Sequence, residues 1–146
     1  MPRERMHVKE VWGFCRRTDL KIPLFTARIS AGFPSPADDF IDKALDLNEF
    51  LIEHPSATFF VRVEGTSMIG AGIHPGDVLI VDRAKEPAPG SIVIAVLDGE
   101  FTVKRFQVKN GRSFLAAENT DFAPIELTGD MTVEVWGVVT YVIHKA

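Results

Sequence analysis

The chain has 146 residues, 46% hydrophobic and 25% charged, an ordinary balance for one globular domain with a real core. Its formal net charge of −4 argues against a general nucleic-acid binder. No stretch approaches the roughly 18 consecutive apolar residues of a membrane helix.

The N-terminus, MPRERMHVKEVWGF, lacks the apolar core of a signal peptide. Cys15 is the only cysteine, which leaves no intrachain disulfide and no cysteine metal cluster. His7, His54, His74 and His144 are scattered without ligand spacing. The expectation is a cytoplasmic protein with no cofactor and no metal. Charge is unevenly spread. Residues 1–31 hold seven Lys/Arg and three Asp/Glu, net +4; residues 32–146 hold nine and seventeen, net −8. A basic arm on an acidic body fits both electrostatic docking and a solvated tail.

In chain order, residues 1–37 show no clear helical period and end in AGFPSPAD, where Gly32, Pro34 and Pro36 favour an extended, accessible stretch. Residues 38–54, DDFIDKALDLNEFLIEH, read as two short helical pieces. Asp46 is an N-cap with Glu49 three residues on, and Pro55 ends the pattern. From residue 58 the texture turns to β. TFFVRV (58–63), DVLIVD (77–82), SIVIAVL (91–97), EFTVKRFQV (100–108), SFLAAE (113–118) and TVEVWGVVTYVIH (132–144) are rich in Val, Ile, Phe and Thr. Asp98-Gly99 and Asn110-Gly111 are hairpin signals. The fold class predicted is mainly β, a compact folded antiparallel sheet or partial barrel, with an extended N-terminal arm.

The loop EGTSMIGAGIHPGD (64–77) carries Ser67. Glycines let a backbone bend sharply and admit a close neighbour, which suits a nucleophile and equally suits a surface turn. His74, seven residues on, is a nearby base candidate, but nothing in its spacing supports a Ser-His-Asp triad. Lys104 is the other candidate. In EFTVKRFQV it shares a face with Thr102, Phe106 and Val108, while Phe101, Val103, Arg105 and Gln107 share the other. A free lysine has a pKa near 10.4, so only about one in 10³ is neutral at pH 7. Burial lowers that value; exposure at a strand edge would leave it.

Several separated blocks in fixed order carry a resemblance. They are AGFPSPADDF, LDLNEFLIEHPSATFFVRVEGTSM, GDVLIVDRA, GSIVIAVLDGEFTVKRF and VWGVVTYVIH. Over roughly residues 22–144 the chain resembles the LexA-like self-cleaving peptidases, in particular their UmuD branch. The resemblance implies a dimerising β-rich domain with a Ser/Lys dyad. It implies Ser67 as nucleophile, Lys104 as base, and backbone N–H groups of Thr66 and Ser67 as the oxyanion site. It makes Ala31-Gly32, ahead of FPSP, the bond cut. On that basis residues 1–31 are an arm removed by self-cleavage, 32–57 a linker with short helices, and 58–146 the peptidase and dimerisation domain.

The implied partners are a second copy of the chain, a UmuC-type polymerase subunit, and the RecA filament on single-stranded DNA as stimulator of the cut, within SOS translesion synthesis. Thr66 stands where the family often has Asp, and Gly70-Ala71-Gly72 loosens the following turn. The first 21 residues or so do not match, so the resemblance assigns nothing to Trp12 or Cys15. Two other readings stay open. One is a non-catalytic dimeric interaction module. The other is a LexA-like or phage-repressor-like regulator, although 31 residues cannot hold a helical DNA-binding domain and +4 on the arm supports only weak, salt-sensitive binding. Leader peptidases share Ser/Lys chemistry, but no membrane anchor is visible in the sequence.

Overall fold

The computed structural model describes residues 5–16, 21–25, 41–118, 123–129 and 133–146. The chain divides into two units. One combines Met1–Phe14 with His54–Ala146, and the other is Cys15–Glu53.

The first unit is antiparallel β. Its strands are β1 (His7–Gly13), β4 (Thr58–Glu64), β5 (Val78–Asp82), β6 (Ile92–Leu97), β7 (Glu100–Lys109), β8 (Arg112–Ala116), β9 (Ile125–Glu126) and β10 (Val133–Ile143). Their order is β1-β4-β5-β10-β6-β7-β8-β9, and a further β1–β7 pairing, His7 opposite Thr102, closes the first six into a ring. The fold class is therefore the one expected, a folded antiparallel sheet that closes as a six-stranded barrel. The hairpins β6–β7 and β7–β8 turn where the sequence places them. Asp98 and Gly99 have φ of 50° and 81°, and Asn110 and Gly111 have 52° and 74°. Positive φ at both central residues is the type I′ requirement, and its twist matches the flanking strands.

The core follows from alternation along these strands. Val61 and Val63 of β4, Leu79 and Val81 of β5, Ile94 of β6 and Val103 of β7 pack with Met6, Met68 and Ile73, all without solvent exposure. A second cluster joins Val93 and Ala95, which alternate with Ile94, to Leu115 and Val138.

In the second unit, β2 (Lys21–Phe25) pairs antiparallel with β3 (Ile41–Asp46), and a single-turn helix α1 (Leu47–Leu51) follows. The structure thus differs from the two helical pieces expected over 38–54: residues 41–46 are strand. Pairing with 21–25 outweighs the local helical preference of IDKALD, since tertiary partners routinely override such propensities. The helix start holds as expected. Asp46 caps α1, its side chain accepting the N–H groups of Asn48 and Glu49. These satisfy two donors that a helix start leaves unpaired. Residues 26–40, among them Ala31 and Gly32, lie outside the described residues.

Candidate active site

β4 ends at Glu64 and hands the chain to the glycine-rich loop. Gly65 takes φ +97°, a conformation that favours glycine. Met68 then drops fully into the core and anchors a 3-10 turn over Ile69–Ala71, with the Ile73 N–H returning to the Met68 carbonyl. Ser67 is held between Gly65 and this anchor and is completely buried. A serine with no solvent exposure is not an ordinary surface turn residue.

Lys104 lies in the middle of β7 and is 3% exposed. Both faces of β7 are buried here, since Thr102, Val103 and Lys104 are all covered. The question of which face is buried therefore has the answer that both are. Burial, and then the positive charge of Arg5, hold the Lys104 amine below the usual lysine range. Both causes disfavour the ammonium form, so the neutral amine that a base requires is more accessible than in a free lysine.

A third segment joins these two elements. The Met6 N–H donates to Ser67 Oγ at 2.8 Å. The Thr102 hydroxyl donates to the Met6 carbonyl at 2.9 Å. Thr102 is two positions from Lys104 on the same face of β7. Ser67 and the Lys104 face are thus tied together through the backbone of one arm residue. The closeness depends on Gly65, because a Cβ there would stand 2.6 Å from the Arg5 carbonyl oxygen and 2.7 Å from Met6 Cα.

Met6 and Arg5 are site neighbours that sequence reasoning does not find, and Thr102, which alternation puts on the Lys104 face, gains its contact to Met6 only in the fold. Met6 sits in a run of basic residues and matches no motif. Strand β1 is hidden because a bulge between Val8 and Glu10 breaks its alternation.

His74 is placed away from a triad role. Its ring packs 4.9 Å from that of His144, and the His144 Nδ1 meets Asp77 Oδ1 at 2.6 Å. The β10–β5 register puts Ile143 opposite Val78 and so carries His144 to Asp77, 67 positions away in sequence. His74, Asp77 and His144 offer three donor atoms within 4.8 Å, the chemistry of a divalent-cation site, which histidine spacing in the sequence does not reveal. Asp77 is nevertheless satisfied without an ion, by His144 and by the His74 N–H.

Comparison with known proteins decides the family. Residues 23–140 match the Peptidase S24-like family. The chain belongs to that family. It is 50% identical over 125 residues to Protein SamA of Salmonella typhimurium, covering 84% of this chain and 85% of that one. It is 49% identical over 121 residues to Protein MucA of Escherichia coli, covering 82% of each. It is 41% identical over 115 residues to LexA repressor 1 of Pseudomonas syringae, covering 79% of this chain and 56% of the repressor. The chain is thus a UmuD-type member of a serine peptidase family, of the UmuD/LexA-like SOS kind. Among the described residues no helix is long and apolar enough to cross a membrane.

Proposed function

We propose that the protein is a serine autopeptidase that cuts its own Ala31-Gly32 bond with a Ser67/Lys104 dyad. The observation that carries this reading is the joint burial of Ser67 and Lys104 on elements linked through Met6, with the lysine pushed toward its neutral form. Neutral Lys104 takes the proton from Ser67 Oγ, which attacks the Ala31 carbonyl carbon. Backbone N–H groups of Thr66 and Ser67 stabilise the oxyanion. The proton passes to the departing Gly32 nitrogen, leaving an acyl-enzyme at Ala31. Water then attacks that ester, frees residue 31 as a carboxylate and returns the serine. Because the substrate is tethered, its conformation sets the rate: a competent arrangement populated by a small fraction of molecules slows the cut by that fraction.

The resemblance extends the proposal to the cleaved protein. The 32–146 product dimerises and joins a UmuC-type polymerase subunit, and a RecA filament on single-stranded DNA promotes the cleavable arrangement beforehand. The exposed end of β10, with Tyr141, Val142 and Ile143, supports a protein–protein contact of this kind.

The test is incubation at mildly alkaline pH and then intact-mass spectrometry. Loss of residues 1–31 is expected in the wild type and in neither Ser67→Ala nor Lys104→Ala. A cut that survives either change removes the dyad. Full-length chain retained under every condition, with a RecA filament present, favours the non-catalytic dimeric module instead.

A further inference from the structure

Strand β1 is part of the barrel, yet it is drawn from the segment that the proposed cut would remove. It pairs with β4 from His7 opposite Glu64 to Gly13 opposite Phe59, and touches β7 through His7 and Thr102. Just ahead of it, Met6 enters the core as a fully buried residue. There the chain runs directly over the nucleophile. A serine oxygen that accepts an N–H has a lone pair committed to that donor. A carbonyl carbon cannot approach along the same line while the donor is there. The Met6 carbonyl is drawn to the Thr102 hydroxyl, and the Arg5 carbonyl lies 3.2 Å from the His7 ring Nδ1.

We infer that the groove beside Ser67 is a binding site for an extended peptide strand with an apolar anchor, and that residues 5–13 fill it as an internal plug. The ligand class is set by the two kinds of contact that this segment makes. Backbone pairing along the β4 edge accepts any extended chain, which is how a peptide adds to a sheet. The pocket that Met6 fills, against Val61, Val63 and Met68, selects an apolar side chain. Gly65 lets the bound backbone lie closer than any side chain would permit.

The inference rests on the reading of Ser67 as nucleophile only for its consequence, which is that the plug must leave before residues around Ala31 can enter. It makes a second demand on the self-cleaving molecule. Cutting at Ala31-Gly32 removes the covalent tether between β1 and the sheet. The plug, already out of the groove for the cut, returns to β4 afterwards only as a separate strand.

The experiment separates occupancy from chemistry. A Ser67→Cys substitution in a Cys15→Ser background places one thiol at the site, and its alkylation by iodoacetamide reads access without any catalysis. Met6→Asp should expel the plug, and Met6→Leu should keep it. Val11→Pro, in mid-strand opposite Val61, loosens β1 without altering the pocket. Circular dichroism and loss of amide-exchange protection over residues 7–13 confirm that the sheet persists while β1 is released. Alkylation is expected to rise roughly tenfold or more in Met6→Asp and Val11→Pro and to stay level in Met6→Leu. Equal alkylation with β1 bound and β1 released overturns the plug.

The same arm changes, made with Ser67 intact, are then tracked for loss of residues 1–31. Faster alkylation with no cut in any variant leaves the plug standing and removes the autopeptidase reading. A cut whose rate ignores the arm changes does the reverse.

Discussion

Two adjacent parts of the N-terminal third of the chain behave in opposite ways. Residues 5–14 belong to the β unit, whereas residues 15–53 form a unit of their own. Each part carries an arginine of interest. Arg5 depresses the Lys104 amine, while Arg16 pairs with Asp46 at 2.7 Å. The first part contributes a side chain with no exposure, Met6. In the second, α1 buries none of its residues. Charge and composition group residues 5–14 with residues 15–31 instead. What separates them is one apolar side chain, delivered beside one bulged strand, that fits the core.

The sharpest way to break this comparison is at Gly65. Gly65→Ala forces a Cβ into Arg5 and Met6 backbone atoms that cannot give way as a flexible side chain would. Its φ is strained as well. The expected loss is about 3–5 kcal/mol, measured as the urea midpoint and slope. Gly72→Ala is the control. Its φ is +80° with nothing within 4 Å, so it should lose only the conformational term, about 1–2 kcal/mol. Equal losses at the two positions would mean that β1 does not lie against Gly65. Next in size is Met6→Ala, at about 2–5 kcal/mol for a buried methionine. Its counterpart in the other unit, Leu47→Ala, removes a side chain already 38% exposed and should cost about 0.5 kcal/mol or less.

A third change sharpens the electrostatic half of the comparison. A lysine whose folded pKa lies below its unfolded value disfavours folding while it is charged in both states. Stability at this site therefore rises with pH between the lowered value and about 10.4, where the unfolded chain still binds the proton and the folded chain does not. Lys104→Met should raise the melting temperature at pH 7, with the gain shrinking as pH approaches 10.4. For activity the sign also comes from the neutral amine: the cut should accelerate as pH rises through the lowered pKa. Arg5→Gln removes a positive neighbour, raises that pKa and moves the midpoint of the pH–rate profile to higher pH. Arg16→Gln should leave the midpoint in place. Freeing the plug takes Arg5 away as well and so alters both plateau and midpoint, whereas Arg5→Gln with the plug in place acts on the midpoint through charge.

The legibility of the sequence divides along the same line. The six β runs from residue 58 onward fall close to β4, β5, β6, β7, β8 and β10, because period-two alternation and Asp-Gly or Asn-Gly turns act locally. Strands β1, β2 and β3 are not legible. β1 loses its period at the Val8/Glu10 bulge, β2 contains Pro23, and β3 is a strand because β2 is beside it. The candidate site shows the same limit. Ser67 and Lys104 stand out through their loop and strand contexts, although only resemblance singles them out as a pair. Met6 and Thr102 enter the site through register, a long-range quantity that no local pattern encodes. The His74–Asp77–His144 cluster is invisible for the same reason.

The smallest expected effect tests the second unit alone. Helix α1 has five residues, far too few to repay its own nucleation in water, so its cap should carry a large share of its stability. Asp46 does two jobs there. Its Oδ1 accepts the Asn48 N–H at 3.0 Å, and its Oδ2 meets Arg16. Asp46→Asn keeps a capping oxygen and removes the charge, while Asp46→Ala removes both. The half-exposed Arg16 makes the ion pair worth a few tenths of a kcal/mol, and the cap about 1 kcal/mol. Amide exchange over Asn48–Leu51 should therefore accelerate roughly fivefold in Asp46→Ala and little in Asp46→Asn, since about 1 kcal/mol corresponds to that factor. The urea midpoint of the β unit should not move in either variant. If Asp46→Ala lowers that midpoint as Met6→Ala does, residues 15–53 share the stability of the sheet, and the contrast between the two parts of the arm is lost.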